Sequence, residues 1–112
     1  NKLQGEIPSW LWKFSSELKS LDLSDNKFEG PFSPTLVEIV LLDVSRNELS
    51  GHLEADIDER LGNVQIFLLA GNRFEGKIPA SVGNISLLYV LDMSGNRFSG
   101  NVPSSMGALQ YL

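Results

Sequence analysis

Several residue types that build reactive sites are scarce in this chain. It has no cysteine, a single histidine (His52), and fewer basic than acidic residues. Without a cysteine or a second histidine, the chain offers neither a Cys/His nucleophile pair nor an imidazole-based metal cluster. Lys and Arg number 9 against 14 Asp and Glu, which gives a formal net charge of -5. Because nucleic-acid binding requires basic residues that neutralise phosphates, we predict no nucleic-acid partner.

Long apolar runs are also absent. Stretches such as residues 39–42 (Ile-Val-Leu-Leu) have the length of a strand, far below the roughly 20 residues that a transmembrane helix needs. We therefore expect no membrane contact by this segment itself. The lack of cysteine does not exclude secretion. If the chain is extracellular, its targeting and anchoring segments are expected to lie outside these residues.

What the chain does contain is a repeat. The motif Leu-x-x-Leu-x-Leu-x-x-Asn, with other apolar residues at some leucine positions, ends at Asn26, Asn47, Asn72 and Asn96. Asn1 stands where an earlier copy would end, so successive asparagines lie 25, 21, 25 and 24 positions apart. Periods of about 20–50 residues are typical of solenoids, in which each repeat buries its apolar face against the next. The period predicts one repeat stack over residues 1–112.

The register continues beyond each asparagine. An apolar residue follows two positions later, a glycine four positions later and a second apolar residue six positions later, with proline next in three copies. The columns are Leu3, Phe28, Leu49, Phe74 and Phe98; Gly5, Gly30, Gly51, Gly76 and Gly100; Ile7, Phe32, Leu53, Ile78 and Val102; and Pro8, Pro79 and Pro103. We expect the first column to stack as an inner spine, and each glycine to permit backbone geometry that a Cβ would block.

The alternating Leu-x-Leu of each motif is typical of a short strand with one buried face. Stacked copies then form a short parallel β-sheet on the concave face, with strands about 4.8 Å apart. A structural ladder is predicted in which asparagine side chains bond backbone groups of the turns. Its members are Asn1, Asn26, Asn47, Asn72 and Asn96. The fold class is an α/β repeat solenoid, with 3₁₀ or short helical turns and extended coil on the convex side.

Two convex segments refine this prediction. Residues 80–85, which follow an Ile-Pro pair, are expected to form one helical or 3₁₀ turn with Val82 and Ile85 pointing inward. The shortest copy carries Pro34 one position later than usual. Its convex segment is therefore expected to run extended, without a helical turn.

The strings LDLSDN, LDVSRN and LDMSGN before the anchors, and LSGHL, FEGKIP and FSGNVP after them, resemble the plant-specific leucine-rich repeat. Residues 1–34 resemble most the ectodomains of plant receptor-like proteins. This resemblance implies a module that recognises a protein or peptide ligand, with a co-receptor as a further partner, in defence or developmental signalling. It also implies a location on the extracellular side of the plasma membrane, within a longer anchored protein, or secretion to the cell wall.

The resemblance leaves other expectations open. Family ectodomains usually end in cysteine-bearing caps, which this sequence lacks, so we expect an internal stack whose open ends permit self-association. A secreted inhibitor of cell-wall-degrading enzymes, similar to the polygalacturonase-inhibiting branch, is the alternative function. An ice-binding solenoid is a remote alternative, because it would need uncharged columns. The residues that follow the anchors instead form a charged ridge of Lys2, Lys27, Glu48, Arg73 and Arg97.

The outward strand positions on the concave face are the candidate binding surface. They contain an apolar patch of Val40, Leu41, Ile66, Leu68, Tyr89 and Val90, and a carboxylate row of Asp22, Asp43 and Asp92. Contiguous exposed apolar area favours an interaction surface, although a flanking segment could cover it instead. The row is interpreted either as a polar binding or metal site, or as ordinary strand chemistry of this subfamily that keeps the sheet soluble.

Asn84-Ile85-Ser86 matches the N-glycosylation motif, and a glycan on this convex turn would leave the concave face free. Alternatively, Asn84 caps the turn. We predict no catalytic residue, metal site or cofactor. No glycine-rich phosphate motif joins a strand to a helix, and residues 56–59 lack the spacing and glycine of a calcium loop. The chain is accordingly predicted not to be an enzyme.

Overall fold

The fold consists of short strands that recur with the sequence repeat. The computed structural model describes residues 3–17, 19–35, 38–100 and 110–111. The strands within these residues are β1 (Gln4–Glu6), β2 (Ser20–Asp22), β3 (Lys27–Pro31), β4 (Leu41–Asp43), β5 (Glu48–Gly51), β6 (Ile66–Leu68), β7 (Arg73–Lys77), β8 (Val90–Asp92), β9 (Arg97–Ser99) and β10 (Gln110–Tyr111). Between them lie a 3₁₀ helix at Ser9–Glu17, the single-turn helix α1 at Ile57–Arg60, and a second 3₁₀ helix at Ala80–Asn84. None of these described helices is long and apolar enough to cross a membrane.

The strands that carry the Leu-x-Leu motif form the first sheet, in the order β10-β8-β6-β4-β2, and every pair is parallel. Equivalent positions of successive repeats pair with each other, so that Leu42 pairs with Leu21 on one side and with Phe67 on the other. Leu42 and Phe67 are fully buried, because alternate side chains of a strand point to the same face. The predicted repeat solenoid with a parallel sheet is confirmed.

The residues that follow each ladder asparagine form a second parallel sheet. We did not predict this sheet from the sequence. Its order is β1-β3-β5-β7-β9. Here the pairing is shifted by two positions in each repeat, because the glycine of one repeat pairs with the apolar residue of the next. Gly30 pairs with Leu49, and Gly76 pairs with Phe98. At about 3.3 Å per residue, this stagger amounts to roughly 6.6 Å per repeat.

At Gly76 in the second sheet, both backbone conformation and space require glycine. Gly76 has a φ of 79°, in the left-handed region where a Cβ is strained. A Cβ at this residue would also overlap the imidazole of His52, which packs over Gly76 from the preceding repeat. The predicted role of the glycine column is confirmed at this position.

Several aromatic rings contact one another in the core. Phe32 lies at the centre, with ring centroids 5.8 Å from Trp12, 5.8 Å from Phe67 and 6.2 Å from Phe74. Phe74 in turn stacks on Phe98 at 6.2 Å. Complete burial of one such ring contributes roughly 1.5–3 kcal/mol through desolvation. Phe32 belongs to the shortest repeat, where its large buried ring fills space in the core.

The expected inner spine is buried at Phe28, Leu49 and Phe74 and partly buried at Phe98. The expectation is wrong for Leu3, which is 57% exposed. Leu3 precedes β1, the terminal strand of the second sheet, and therefore has a neighbouring repeat on one side only among the described residues. Val102 and Pro103, the last members of their columns, lie outside the described residues.

The convex side differs between repeats. The predicted turn forms as the 3₁₀ helix Ala80–Asn84, and Val82 and Ile85 are buried as expected. In the shortest repeat, residues 32–35 and 38–40 contain no helix, in agreement with the predicted extended run. Helix α1 occupies the convex side of the repeat that follows.

Arg60 joins the extended segment of the shortest repeat to α1. Its Nη1 donates a hydrogen bond to the Pro34 carbonyl at 2.8 Å, and its Nε donates to Asp56 Oδ1 at 2.9 Å. Ser33 Oγ, in the same extended segment, donates to Glu54 Oε1 at 2.9 Å, shortly before α1. The bond to Asp56 raises the pKa of Arg60. These bonds provide partners for polar groups that no helix satisfies in the extended segment.

Candidate binding face

A ladder of asparagines holds the end of the first sheet. Nδ2 of Asn72 donates to the Val44 carbonyl at 2.9 Å and to the Leu69 carbonyl at 3.2 Å. Oδ1 of Asn72 accepts the Leu49 N–H at 3.0 Å. Val44 and Leu49 flank the turn that joins β4 to β5, so one buried side chain from the following repeat bonds both ends of that turn.

The pattern recurs at the other described members of the ladder. The backbone N–H groups of Leu3, Phe28 and Phe74 donate to Oδ1 of Asn26, Asn47 and Asn96 at 2.9, 3.1 and 3.0 Å, respectively. Asn1 lies outside the described residues. Each asparagine thus links one repeat to the preceding one between the two sheets, which fixes where the outward side chains of the first sheet stand.

The carboxylate row is part of the turns that end the strands. Each aspartate accepts, through Oδ1, the backbone N–H and the hydroxyl of the serine two positions later. The N···O distances are 2.9, 3.0 and 3.1 Å for Asp22–Ser24, Asp43–Ser45 and Asp92–Ser94. The two bonds from Ser24 lower the pKa of Asp22. This geometry gives each aspartate of the row a structural role in its turn, and no described group of three His, Asp or Glu side chains is placed to hold a metal ion.

The third strand interrupts this row. Leu68 and Ala70 stand where the other strands have aspartate and serine, so both partners of the turn bond are replaced together. Because the first sheet pairs equivalent positions, Leu68 pairs with Asp43 on one side and with Asp92 on the other. The result is an apolar gap, one strand wide, between two carboxylates.

The apolar patch is continuous along the same face. Ile66 pairs with Leu41 on one side and with Val90 on the other, and Leu68 lies two residues further along β6. All four side chains are half-buried. Adjacent strands lie about 4.8 Å apart, so these four side chains form one contiguous surface.

Two further members of the patch lie where strands begin. Val40, directly before β4, is half-buried, and Tyr89, directly before β8, is 51% exposed. Gln65 lies between them, because Gln65 N–H donates to the Val40 carbonyl and Tyr89 N–H donates to the Gln65 carbonyl. The structure therefore brings all six predicted patch residues together. One polar residue, Gln65, lies at the edge of the patch between Val40 and Tyr89.

Two other residues singled out from the sequence lie away from this face. Asn84 is exposed at the end of the 3₁₀ helix Ala80–Asn84, and Ser86 of the same motif is also exposed. His52 is exposed and lies over Gly76 of the second sheet.

An ion pair at the rim of the first sheet was missed from the sequence. Arg46 Nη2 donates to Asp25 Oδ2 at 2.8 Å, and this contact raises the pKa of Arg46. Both residues directly precede a ladder asparagine and have left-handed φ angles of 57° and 58°. The corresponding residues of the next two repeats are Gly71 and Gly95, which have φ angles of 70° and 69°. This column of Asp, Arg, Gly and Gly was a readable signal for the turn conformation.

The repeat architecture is matched by comparison with known proteins. A sequence profile described as Leucine Rich Repeat matches residues 17–39, 63–85 and 87–109. The chain belongs to the leucine-rich repeat family. The unmatched residues 40–62 contain the repeat that carries α1.

The curated relatives include plant receptor-like proteins. Receptor-like protein 14 of Arabidopsis thaliana is 37% identical over 95 residues, which cover 84% of this chain and 10% of that protein. Receptor-like protein EIX2 of Solanum lycopersicum is 37% identical over 81 residues, which cover 70% of this chain and 8% of that protein. This leucine-rich repeat chain thus spans about a tenth of the length of these relatives.

Solved structures show the same fold. The Arabidopsis receptor kinase HAESA, in complex with the peptide hormone IDA and the co-receptor SERK1, matches with a TM-score of 0.88 and 30% identity over 99% of this chain and 19% of that one. The PEPR1–AtPEP1 complex matches with a TM-score of 0.82 and 36% identity over 100% of this chain and 16% of that one.

Proposed function

We propose that this leucine-rich repeat stack is part of the extracellular ligand-binding region of a plant receptor-like protein and binds a protein or peptide on the outward face of its first sheet. The observation that carries this proposal is the contiguous apolar surface of Leu41, Ile66, Leu68 and Val90. Soluble proteins seldom expose such surfaces without an interaction, and apolar side chains supply much of the binding energy of interfaces.

The relatives support binding rather than catalysis as the role of the repeats. Related ectodomains are seen with a peptide hormone and a co-receptor in one case, and with AtPEP1 in another. By analogy, the chain binds a protein or peptide ligand, a co-receptor is a second partner, and the chain works at the extracellular side of the plasma membrane in defence or developmental signalling.

A comparative pull-down tests the proposal. Immobilised 112-residue chain, checked for folding by circular dichroism, is exposed to extracellular extracts of plants and microbes. It is run beside an Ile66→Ser, Leu68→Asp double variant of the patch. A matched control places the same new side chains on the second sheet, as Glu75→Ser and Lys77→Asp, because both of these residues are exposed there.

We expect one or more proteins or peptides to be retained by the wild type and the second-sheet control, but not by the patch variant. Equal retention by all three proteins, or retention by none, would remove the first sheet as the binding face. Retention of a cell-wall-degrading enzyme would instead favour the inhibitor function.

The glycan predicted at Asn84 has an independent test. If the chain passes through the secretory pathway, the exposed motif at residues 84–86 is available for an N-linked glycan. We expect plant-secreted protein to lose mass on treatment with an N-glycosidase, and Asn84→Gln to have no such mass shift. Secreted wild type without a glycan would contradict this assignment.

A further inference from the structure

The chemistry around Leu68 specifies what kind of ligand the first sheet fits. Leu68 lies between Asp43 and Asp92 in the pairing of the first sheet, and Ile66 extends the apolar surface beside it. An apolar ligand side chain on Leu68 would therefore have a carboxylate on either side of it. Two aspartates separated by two strand spacings lie about 9.6 Å apart.

Both carboxylates keep an oxygen for a ligand. The hydrogen bonds that described residues make to Asp43 and Asp92 all end on Oδ1 and come from Ser45 and Ser94. These bonds hold each carboxylate in place at the strand end. Oδ2 can then accept a hydrogen bond from a lysine or arginine of a ligand, and such charge-assisted bonds are stronger than neutral ones.

Two basic residues lie near this site, but one is paired with another carboxylate and the other lies two strands away. Arg46, at the rim beside Asp43, is engaged with Asp25. Lys19 precedes β2, two strands away from Leu68. A basic side chain of the ligand would therefore be the complementary partner of Asp43 and Asp92.

Strand geometry sets the spacing in the ligand. An extended peptide rises about 3.3 Å per residue and turns alternate side chains to the same face. If its central apolar residue sits on Leu68 and the peptide runs across β4, β6 and β8, the residues two positions before and after lie about 13 Å apart. Each is then about 2 Å outside its aspartate, which a lysine or arginine side chain spans easily.

We infer that the ligand presents an extended segment of the form basic-x-apolar-x-basic, with its apolar side chain on Leu68 and Ile66 and its basic side chains on Asp43 and Asp92. This inference rests on the proposed function, because it specifies the ligand of the same face. It commits to a peptide segment, either free or within a larger protein.

The probe is a synthetic seven-residue peptide with leucine at its centre, lysine two positions away on each side and serine between them. Binding to the 112-residue chain is measured by titration with amide chemical shifts. Two control peptides carry glutamate in place of both lysines, or serine in place of the leucine. We expect shifts at β4, β6 and β8 with the first peptide and about tenfold weaker binding for either control, and weaker binding at higher salt.

Matched protein variants separate charge from fold. Asp43→Asn with Asp92→Asn removes both charges but keeps an oxygen that accepts the serine bonds. We expect the lysine peptide to bind about threefold to tenfold more weakly to this double variant. Asp22→Asn is the control, because Asp22 has the same serine bonds but does not flank Leu68. It should change binding less than about twofold.

Failure of the inference is distinguishable from failure of the proposed function. If the lysine and glutamate peptides bind equally, or neither binds, while capture from extracts still depends on Ile66 and Leu68, the face binds a ligand but not of this class. Loss of that capture dependence would remove the binding face itself. Comparison of the two peptides on wild-type protein also keeps the test valid if a variant unfolds.

Discussion

The two sheets are formed by the same repeats but stack them differently. In the first sheet equivalent residues pair, so that leucine lies beside leucine or phenylalanine. In the second sheet a glycine pairs with an apolar residue of the next repeat, two positions out of step. The first sheet therefore tolerates varied outward side chains once its buried positions are apolar, whereas the second sheet depends on a particular residue type at a particular place. This difference predicts where substitutions should be severe.

The ladder asparagines serve both sheets, so their loss should have the largest effect. Asn72→Ala leaves the buried Leu49 N–H without its partner and removes one of the two bonds to the Val44 carbonyl, which also accepts from Asn47. We expect about 2–4 kcal/mol lower unfolding free energy. Urea denaturation followed by circular dichroism measures this change. Asn63→Ala, at an exposed asparagine outside the ladder, should change stability by less than about 0.5 kcal/mol. A similar loss in both variants would contradict the shared role of the ladder.

The second sheet should be sensitive at its glycines. Gly76→Ala combines a left-handed φ with overlap on His52, and we expect about 1–3 kcal/mol of destabilisation. Adding His52→Ser should recover the part caused by overlap but not the part caused by the backbone. Gly62→Ala, where a Cβ meets no atom within 4 Å, is the control and should be nearly neutral. Equal effects at Gly62 and Gly76 would mean that the second sheet has no special requirement.

The turn that follows β2 should respond to pH through Asp22. Asp22→Ala removes the acceptor of two bonds from Ser24 at an exposed site, and we expect about 0.5–1 kcal/mol lower stability at neutral pH. The pKa of Asp22 is lowered from 3.8 in the folded state, so this stabilisation is present above pH 3.8 and is lost as the pH falls below it. Wild type and variant should converge in stability at acidic pH. A constant difference between them across the titration would show that the carboxylate charge has no part in it.

Removal of a surface ion pair of the second sheet should have the smallest effect on stability. Arg73 Nη2 lies 3.4 Å from Glu48 Oε1, and the two side chains are 59% and 39% exposed. A double-mutant cycle of Glu48→Ala and Arg73→Ala should give a coupling of no more than about 0.5 kcal/mol, reduced further by salt. A coupling above about 1 kcal/mol would indicate that charge pairing, rather than glycine and packing, determines the stagger.

The first sheet could be predicted from the sequence because each of its features has a period. The strand motif and the asparagine anchors recur at fixed offsets, and burial follows from the alternation of side chains. The convex turn at Val82 and Ile85 was predicted instead from the Ile-Pro pair before it. The second sheet had a signal too, in the alternating x-apolar-x-Gly that follows each anchor. The two-position stagger had none, since it arises from how neighbouring backbones meet.

Pair contacts were the least predictable. The shortest repeat was expected to run extended because of Pro34, but nothing local to Pro34 indicates that Arg60 would donate to its carbonyl. The candidate binding face was only partly predictable from the sequence. Its residues followed from the motif, whereas the placement of Leu68 between Asp43 and Asp92 depends on exact pairing between strands. The bonds between each aspartate and its serine likewise follow from turn geometry, although the two residues covary visibly within the chain.

The stagger of the second sheet also bears on how such arrays evolve. Repeats multiply and recombine as units, and in the first sheet equivalent positions always meet, so the buried side chains of an exchanged repeat find equivalent neighbours. In the second sheet Glu75 pairs with Arg97 of the next repeat, whereas Glu29 pairs with Glu48. Exchanging the order of these repeats would bring different charges together on this surface, and it would likewise separate Leu68 from the aspartates that flank it in the first sheet. The buried core therefore tolerates a new order of repeats, whereas the outward side chains of both sheets depend on the order along the chain.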